Sequence, residues 1–299
     1  MQVEVEGRRL TLSNLGKVLY PATGFTKAAV MDYYRRVSPA ILPHLEGRPL
    51  TLKRFPEGVE GGHFFEKSCP SHRPAWVKTV QVPSTRREEK AIRYCLAGDL
   101  PTLMWLANLA ALELHPLLAR GDDVDCPTVV VFDLDPGPPA GLTQCLQVAA
   151  WIRETLAGDG LQACPKTSGS KGLQLYVPLN TPHTYDQTKS FARQVASSLA
   201  RAHPGAVVDR QDKRLRAGKV LIDWGQNDRN KTTVAPYSLR AVPEPAASTP
   251  VTWEELDQAL SMGREDLLRF PPAEVVSRVE RIGDLFRPVL EARQRLPGC

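Results

Sequence analysis

The stretch Val129-Val130-Val131-Phe132-Asp133-Leu134-Asp135-Pro136-Gly137 decides how this chain folds around its chemistry. Its apolar residues predict a buried strand, and the Pro-Gly pair ends that strand. Because side chains alternate faces along a strand, Asp133 and Asp135 must point to the same side. Two carboxylates on one face repel each other unless divalent cations are bound, so the stretch predicts a metal site. A strand end with solvated acids is the alternative that the motif alone leaves open.

The composition is that of an ordinary globular protein. The chain has 299 residues, of which 42% are hydrophobic, enough for one large domain or two medium ones. No apolar run approaches the ~20 residues that cross a bilayer, and the N-terminus lacks a signal-peptide core, so we expect a cytoplasmic protein.

The six cysteines are scattered along the chain, and no two form a C-x-x-C pair. This pattern predicts reduced, mostly buried thiols. Cys69 and His72 have a metal-like spacing, but no second pair of that kind accompanies them, so a zinc site is a weak alternative.

Positive charge is clustered rather than evenly spread, although the net charge is only +5. The clusters are Arg8-Arg9, Lys53-Arg54, Arg86-Arg87 and, above all, Lys213-Arg214-Leu215-Arg216-Ala217-Gly218-Lys219. Such local density suits a partner that carries phosphates.

Signals for helices and strands alternate along the chain. Strands are predicted at 2–12 as a hairpin and at 49–55, 63–66, 128–135, 173–179 and 220–224. Helices are predicted after a Thr26 cap and at 99–109, 142–157 and 185–202. This alternation favours a mixed α/β or α+β catalytic core.

We expect one domain built from three parts. These parts are an N-terminal module of about residues 1–125, a metal-binding core of about 126–242 and a helical tail of about 251–299. Residues 243–250 are rich in Pro and Ala, which predicts a linker to that tail.

A second apolar strand delivers a third acid. Val220-Leu221-Ile222-Asp223-Trp224 repeats the design of the first strand. Two such strands would set three carboxylates around a pair of metals, the minimum for two-metal phosphoryl transfer. Taken alone, Asp223 is better explained as a strand-end residue bonded to nearby amides.

Between the acids lies a loop suited to phosphate, Lys166-Thr167-Ser168-Gly169-Ser170-Lys171-Gly172. Its small hydroxyl residues and two glycines let backbone amides approach phosphate oxygens, and a lysine neutralises their charge. It lacks the Walker spacing, so it is not a P-loop, and by itself a flexible turn explains it equally well. Together with the cations at 213–219 and 230–240, the acids and this loop predict a nucleotide site.

Four segments, in this order, closely resemble the polymerase domain of bacterial DNA ligase D. They are residues 131–137 (VFDLDPG), 167–173 (TSGSKGL), 215–224 (LRAGKVLIDW) and 233–240 (TVAPYSLR). Residues 12–21 and 112–116 fit the same family, and the resemblance spans roughly residues 8–290. That domain belongs to the archaeo-eukaryotic primase superfamily and serves in non-homologous end joining. The resemblance implies an α+β, primase-like core of two packed mixed sheets flanked by helices.

The resemblance also implies roles for individual residues. It makes Asp133, Asp135 and Asp223 the catalytic, metal-binding triad. It assigns nucleotide binding to Phe64, Phe65, His115, Ser168, Lys171, Gln174, Arg216 and Arg240. The two phenylalanines would stack on a base, although strand alternation leaves core packing open for one of them. It assigns the 5′-phosphate of a recessed DNA end to Asn14, Lys17 and Lys27, near a helix start that favours anions.

One position departs from the family pattern. Many members have histidine where this chain has Gln174. Glutamine still donates a hydrogen bond to a phosphate, but unlike histidine it cannot become positively charged by taking up a proton. We therefore expect transition-state neutralisation to be weaker here, or to fall on Lys171 and Arg240.

The expected activity is template-dependent nucleotidyl transfer with two divalent ions, Mn²⁺ or Mg²⁺, and nucleoside triphosphates as substrates. The resemblance implies a preference for ribonucleotides and manganese, and gap filling at broken DNA ends with a 5′-phosphate. Implied partners are DNA, a DNA ligase and Ku, without a membrane, in the cytoplasm at the nucleoid.

Two other classes of function remain open from the sequence. One is a non-catalytic DNA-end-binding module of the same fold, and the other is a metal-dependent nuclease. Because no ligase segment follows the polymerase-like region, we expect either a stand-alone enzyme or an excised domain.

Overall fold

The computed structural model describes residues 1–84 and 91–298, so the Arg86-Arg87 cluster and Cys299 lie outside the described residues. Seven α-helices are found in this part of the chain: α1 Lys27–Leu45, α2 Leu100–Asn108, α3 Leu142–Gly158, α4 Tyr185–Ala202, α5 Trp253–Met262, α6 Pro272–Ile282 and α7 Pro288–Glu291. None of the described helices is long and apolar enough to span a bilayer.

The strands in the described residues are β1 Gln2–Val5, β2 Arg8–Thr11, β3 Val18–Tyr20, β4 Phe25–Thr26, β5 Leu50–Arg54, β6 Phe64–Glu66, β7 Thr79–Pro83, β8 Ala91–Cys95, β9 Ala111–Pro116, β10 Ala119–Arg120, β11 Asp123–Pro127, β12 Val129–Pro136, β13 Cys164–Thr167, β14 Leu173–Pro178, β15 Val207–Val208, β16 Val220–Asp223, β17 Leu239–Arg240 and β18 Ala246–Ala247. The mixture of helices and sheets confirms the predicted α+β class. The predicted hairpin, capped helices and acid-bearing strands are all present, with ends shifted by a residue or two.

The chain divides into two compact units, and each contains stretches that are distant in sequence. The first unit is Met1–Asp122, Thr232–Ser248 and Phe270–Asp284. The second unit is Asp123–Lys231, Thr249–Arg269 and Leu285–Cys299.

The first unit is built on an antiparallel sheet in which β5 is the central strand. β5 pairs with β6 and β9, and β8 joins it to β7. Helix α1 begins where the Thr26 hydroxyl accepts a hydrogen bond from the amide of Ala29, as its sequence predicts. Its inner side chains, such as Tyr34 and Ile41, are fully buried and supply the core of this unit.

The second unit is built on a five-stranded mixed sheet with the order β13-β14-β12-β16-β15. β12 is antiparallel to both β14 and β16, whereas β15 runs parallel to β16. Its apolar side chains Phe132 and Leu134 are fully buried, because α3 and α4 cover the sheet. The side chain of Asn227 extends the ladder: its amide bonds to both the N–H and the C=O of Val131.

The segment 243–250, predicted to be a linker, is instead a packed part of the fold. β18 pairs with β17 through Arg240 and Ala246, and Ala247 and Ser248 are buried. Pro and Ala are common in linkers, but short apolar side chains also fit a tight buried turn, so composition alone pointed the wrong way.

The prediction of uniformly reduced cysteines is wrong for one pair, since Cys69 and Cys95 form a disulfide. The amide of Cys69 donates to the carbonyl of Arg93, which holds the segment around Cys69 against β8. This bond also removes the Cys69 sulfur from any zinc site with His72. Cys126 and Cys145 are free thiols, and Cys145 is buried as expected.

Candidate active site

Four polar residues form a row across one face of the second unit's sheet. Residues directly opposite each other in antiparallel strands point to the same face. Asp133 on β12 lies opposite Asp223 on β16 and opposite Gln174 on β14, which in turn lies opposite Lys166 on β13. Asp135 shares this face, because it is two residues beyond Asp133. The three predicted carboxylates are therefore brought together by strand register.

Lys166 is a member of this row that the sequence interpretation missed. Its side chain is fully buried, and its Nζ donates to Oε1 of Gln174 over 2.5 Å. The Nε2 of Gln174 then donates to Oδ1 of Asp133 over 3.1 Å. Both polar atoms of the Gln174 amide are thus engaged by the protein, and its contact with a nucleotide remains a prediction. The sequence does not indicate a buried Lys166, because a lysine beside turn-forming residues usually lies in an exposed loop.

Asp133 has an altered protonation equilibrium in this row. Burial raises the pKa of its carboxyl group to about 6, and the negative charges of Asp223 and Asp135 act in the same direction. The hydrogen bond from Gln174 and the charge of Lys166 act against this rise. Repulsion among acids is what a bound cation would relieve.

Asp135 is half exposed, and its carboxylate forms an ion pair with the guanidinium of Arg216. The backbone approaches very closely here, because a Cβ on Gly137 would lie 1.9 Å from the carbonyl oxygen of Arg216. The Pro136-Gly137 breaker therefore does more than end β12: its glycine lets the Arg216 loop lie directly against the strand end.

Asp223 ends β16 and caps the short turn that follows. Its Oδ1 accepts from the amide of Gly225, and its Oδ2 accepts from Nε2 of Gln226. These contacts match the interpretation of Asp223 as a strand-end acid bonded to nearby amides, although the register also places it opposite Asp133.

Each of the three carboxylates is thus oriented toward a protein donor. Consistent with this, no group of three His, Cys, Asp or Glu residues within 1–84 and 91–298 is arranged to hold a metal ion. The donor set nevertheless fits divalent cations, because three carboxylates on one sheet face supply the oxygen ligands that such ions prefer. A metal would have to compete with Arg216 for Asp135.

The predicted phosphate loop is a tight turn with one exposed cation. The Ser168 hydroxyl accepts from the amides of Ser170 and Gly172, so it shapes the turn. Gly172 is required here, because a Cβ would lie 2.1 Å from the carbonyl oxygen of Leu134. Lys171 is exposed at the tip of the turn.

The remaining predicted residues belong to the first unit. Phe64 and Phe65 are both exposed, 44% and 59%, so neither packs in the core. Arg54 lies over the ring of Phe64 at 5.1 Å and Lys53 lies over the ring of Phe65 at 5.6 Å. Exposed aromatic rings beside cations are suited to stacking on a base near a phosphate.

Glu113 organises the cations of the first unit, and the sequence interpretation did not select it. It is 2% exposed and receives His115 Nε2 at 2.9 Å, Arg240 Nε at 3.4 Å and Lys53 Nζ at 3.5 Å. The amide of Ala241 donates to it as well. An acid in an alternating strand looked like an ordinary polar residue, and only the register reveals it opposite Lys53.

Charge pairing controls the pKa values in this cluster. Burial by itself raises the pKa of Glu113, but the hydrogen bond from His115 and the charge of Arg240 outweigh it and lower the pKa to about 2. Glu113 is therefore ionised and can only accept, so His115 Nε2 is the donor. Burial lowers the pKa of His115, while the carboxylate of Glu113 opposes that shift.

Asn14, Lys17 and Lys27 also lie in the first unit, around the start of α1. The amide of Lys17 donates to the carbonyl of Asn14, and the amide of Lys27 donates to the carbonyl of Lys17. Lys27 is buried, and its Nζ donates to the carbonyl of Ser13 over 2.7 Å. Burial, followed by the charges of Lys17 and Arg54, lowers the pKa of Lys27. The Nζ of Lys17 also pairs with Glu57 over 2.8 Å, so a phosphate here would have to compete with that carboxylate for Lys17.

Comparison with known proteins identifies relatives across most of the chain. The family model for the LigD primase-polymerase domain matches residues 26–286. The multifunctional non-homologous end joining protein LigD of Mycolicibacterium smegmatis is 42% identical over 284 residues, covering 94% of this chain and 36% of that protein. LigD of Pseudomonas aeruginosa is 30% identical over 272 residues, covering 87% of this chain and 31% of that protein.

A solved structure agrees in fold as well. The polymerase domain of Mycobacterium tuberculosis ligase D in complex with DNA superposes with a TM-score of 0.86 at 40% identity, covering 95% of this chain and 99% of that one. This match confirms the predicted primase-like α+β core. The chain therefore belongs to the family of LigD primase-polymerase domains, and it is a nucleotidyltransferase of the DNA-directed polymerase/primase class.

Proposed function

We propose that this protein extends the 3′ ends of DNA by template-directed nucleotidyl transfer, at broken or gapped ends, with two divalent cations. The observation that supports this most strongly is the set of three carboxylates, Asp133, Asp135 and Asp223, on one face of two paired strands. In a polymerase family, such a set is the metal-binding half of the active site. The structural relative's complex with DNA supports DNA as the substrate.

In the proposed reaction the primer 3′-hydroxyl attacks the α-phosphate of a nucleoside triphosphate, its proton leaves, and pyrophosphate is released. Bound Mn²⁺ or Mg²⁺ would lower the pKa of the hydroxyl and neutralise the leaving group. The chain's own contribution is to orient Asp133 through Gln174 and Lys166. Lys171, Arg216 and Arg240 would neutralise the triphosphate, and Ser168 and His115 would position it.

Primer extension on a gapped duplex tests the reaction. Asp133→Ala, Asp135→Ala or Asp223→Ala should abolish extension, while Asp159→Ala, which removes an exposed acid of the same unit, should leave it unchanged. Shortening of the primer would indicate a nuclease instead. Primer extension that persists after removal of any of the three acids would contradict their assignment as the metal-binding triad.

The preferences for ribonucleotides and manganese rest on the family resemblance alone. They are tested by the same assay with ribo- and deoxyribonucleotides, each with Mn²⁺ and Mg²⁺. Equal rates with both sugars and both metals would remove these two refinements without affecting the reaction type.

We assign the 5′-phosphate of the downstream strand to Asn14, Lys17 and Lys27. The crowding of Lys17 and Lys27 at the start of α1 supports an anion at this place. Binding to a gapped duplex should weaken when that phosphate is removed, and Lys17→Ala should erase the difference. Lys78→Ala, an exposed lysine of the same unit, should retain it. A wild-type protein that ignores the phosphate would contradict the assignment.

The chain spans about 36% of the length of its mycobacterial relative, so its cellular setting is also a proposal. The relatives' names, non-homologous end joining proteins, support a role in double-strand-break repair. In that setting a DNA ligase would seal the extended end and Ku would hold it. A DNA substrate in turn supports a location in the cytoplasm at the nucleoid.

A further inference from the structure

A cavity of about 510 Å³ lies in the second unit, and its lining shares only Leu215 and Lys219 with the basic cluster 213–219 and includes none of the residues assigned above to metal, nucleotide or 5′-phosphate binding. Its walls come from the C-terminal half of α4, strand β15 and the segment 209–219, and it ends at Trp224. This volume is in the range of pockets that hold small molecules, about 300–1,000 Å³. We call it the Arg193 cavity, after the cation that lies over the Trp224 ring at 5.4 Å.

The charge of the Arg193 cavity is strongly unbalanced. Its lining includes Arg193, Arg201, Arg210 and Lys219, but only one acid, Asp209. That acid accepts from the Ser197 hydroxyl over 2.6 Å and lies 4.0 Å from Arg210. Four cations around one engaged carboxylate leave a positive field in the cavity, and such a field concentrates anions.

The arginines of the cavity differ from others on the same unit. Arg153, Arg229 and Arg264 each pair with an aspartate. In the part of the chain that the structure describes, neither Arg193 nor Arg201 has a carboxylate within ion-pair distance. Arginines that converge on a hollow without acidic partners are expected where an external anion supplies the missing charge.

The rest of the lining is suited to a base rather than to a bare anion. Trp224 is held in place by a hydrogen bond from Nε1 to the carbonyl of Asp209, and Leu215 is 44% exposed beside it. An indole ring and an aliphatic side chain near guanidinium groups match the two faces of a nucleotide, its base and its phosphate. An acidic peptide would use the cations but leave the indole and Leu215 without a partner.

We propose that the Arg193 cavity binds a nucleotide of a single DNA strand, with its phosphate at Arg201 and Arg210 and its base against Trp224 and Leu215. Trp224, at one end of the cavity, directly follows Asp223 in the sequence, so the two sites share the turn that ends β16. The cavity would therefore hold an unpaired stretch of DNA beside the metal site without base-specific readout. The contact goes beyond the proposed polymerase function, and the choice of DNA as the strand rests on that function.

The test is binding of a fluorescent oligothymidylate of about 12 nucleotides to the full chain without metal or nucleotide. The double variant Arg201→Ala/Arg210→Ala should bind about tenfold more weakly at 0.1 M salt, and the slope of log K against log salt should shrink by about 0.7, the contribution of one neutralised phosphate on a single strand. Arg269→Ala, an equal loss of charge per residue at an exposed site, should change neither. Unchanged binding by the double variant would overturn the proposal.

A second measurement locates the strand. An oligothymidylate that carries 5-iodouracil should crosslink to the peptide containing Trp224, and the double variant should lose this adduct while keeping any others. Adducts found only elsewhere would overturn the proposal. A poly-glutamate peptide of equal charge that displaces the oligonucleotide with the same dependence on Arg201 and Arg210 would identify a protein partner instead.

Primer extension by the same variants separates this inference from the proposed function. If strand binding depends on Arg201 and Arg210 but the protein shows no extension activity, the strand-binding proposal stands and the proposed polymerase function is wrong. If the protein extends primers but its strand binding does not depend on these arginines, the polymerase function stands and the strand-binding proposal is wrong.

Discussion

Gln174 explains how a departure from a family pattern can preserve chemistry. As a phosphate ligand, glutamine would be a poor replacement for a charged histidine. In this structure its amide instead accepts from Lys166 and donates to Asp133. A neutral imidazole also offers one donor and one acceptor, so glutamine can fill the same place in a buried chain of hydrogen bonds. In this structure the residue contacts the carboxylate of Asp133, and its predicted contact with a nucleotide remains a prediction.

Replacing Gln174 should therefore weaken Asp133 as a ligand. Gln174→Ala removes the hydrogen bond that favours the ionised carboxylate, so the pKa of Asp133 should rise further. It also removes an acceptor of the buried Lys166, at a cost of about 1–3 kcal/mol in unfolding free energy. Urea unfolding and Mn²⁺ titration measure the two effects. Gln174→His should restore both, and Gln147→Ala, at an exposed position of α3, should change neither.

The raised pKa of Asp133 predicts that metal binding at the three acids depends on pH. Its pKa is raised to about 6, so below that pH the folded protein holds a proton that a metal must displace. Mn²⁺ affinity should rise about tenfold per pH unit up to about 6 and then level off. Calorimetric titration in buffers of different ionisation enthalpy would measure the released proton. An affinity that is constant through this range would contradict the raised pKa.

Glu113 should behave as the electrostatic centre of the first unit. Glu113→Gln keeps the shape but leaves Lys53, His115 and Arg240 facing one another, and should cost about 3 kcal/mol at neutral pH. The folded pKa of about 2 lies below the unfolded value, so this stabilisation is present above the unfolded pKa and is lost as pH falls toward 2. Urea unfolding of wild type and variant should therefore converge in acid. Glu60→Gln, an exposed control, should match wild type throughout.

At the scale of elements, sequence predicts well those segments whose own pattern decides their structure. β12 and β16 are apolar runs that end in an acid, and α1 follows a threonine cap, so local physics fixes them. β13 contains Pro165 and a buried lysine, so its strand structure depends on pairing with β14 rather than on its own pattern, and β7 and β8 likewise depend on pairing with each other. The segment 243–250 shows the same effect, because burial by distant residues turns a linker-like composition into a packed strand pair.

The disulfide between Cys69 and Cys95 gives a test at this scale. It closes a loop across a sequence separation of 26. A disulfide that closes a loop of this size stabilises the folded protein by about 3 kcal/mol relative to the unfolded chain. Reductant should lower the midpoint of thermal unfolding of the wild type, whereas Cys69→Ser should have the lower midpoint with or without reductant. Cys126→Ser, which removes a free thiol, should respond to reductant as wild type does. A wild-type midpoint that ignores reductant would show that the bond is absent in solution.

At the scale of the whole molecule, the order of the chain does not match the order of its units. Residues 232–248 and 270–284 belong to the first unit, although they follow most of the second unit in the sequence. The predicted division at about residue 125 lies close to the first crossing at 122/123, but no local pattern marks the later returns. The predicted site residues follow the units: the acids and the phosphate loop are in the second, and the aromatic and 5′-phosphate residues are in the first.

This division predicts that binding and chemistry can be separated by mutation. Asp135→Ala should abolish Mn²⁺ binding at its site and primer extension, while affinity for a gapped duplex stays within about twofold, because the first unit carries the assigned end contacts. Phe65→Ala should do the opposite. It removes a stacking ring worth about 1–3 kcal/mol, so the KM for the nucleotide or the affinity for template should weaken about tenfold. Its Mn²⁺ affinity should equal that of wild type.

Calorimetry with Mn²⁺ and a gel-shift titration with the gapped duplex, run on both variants, read the two properties independently. The double variant Phe65→Ala/Asp135→Ala should show the sum of the two losses, since the residues act on different ligands. If Phe65→Ala weakens Mn²⁺ binding, or if Asp135→Ala weakens duplex binding tenfold, then metal and DNA sites are coupled and the division of labour between the units is wrong.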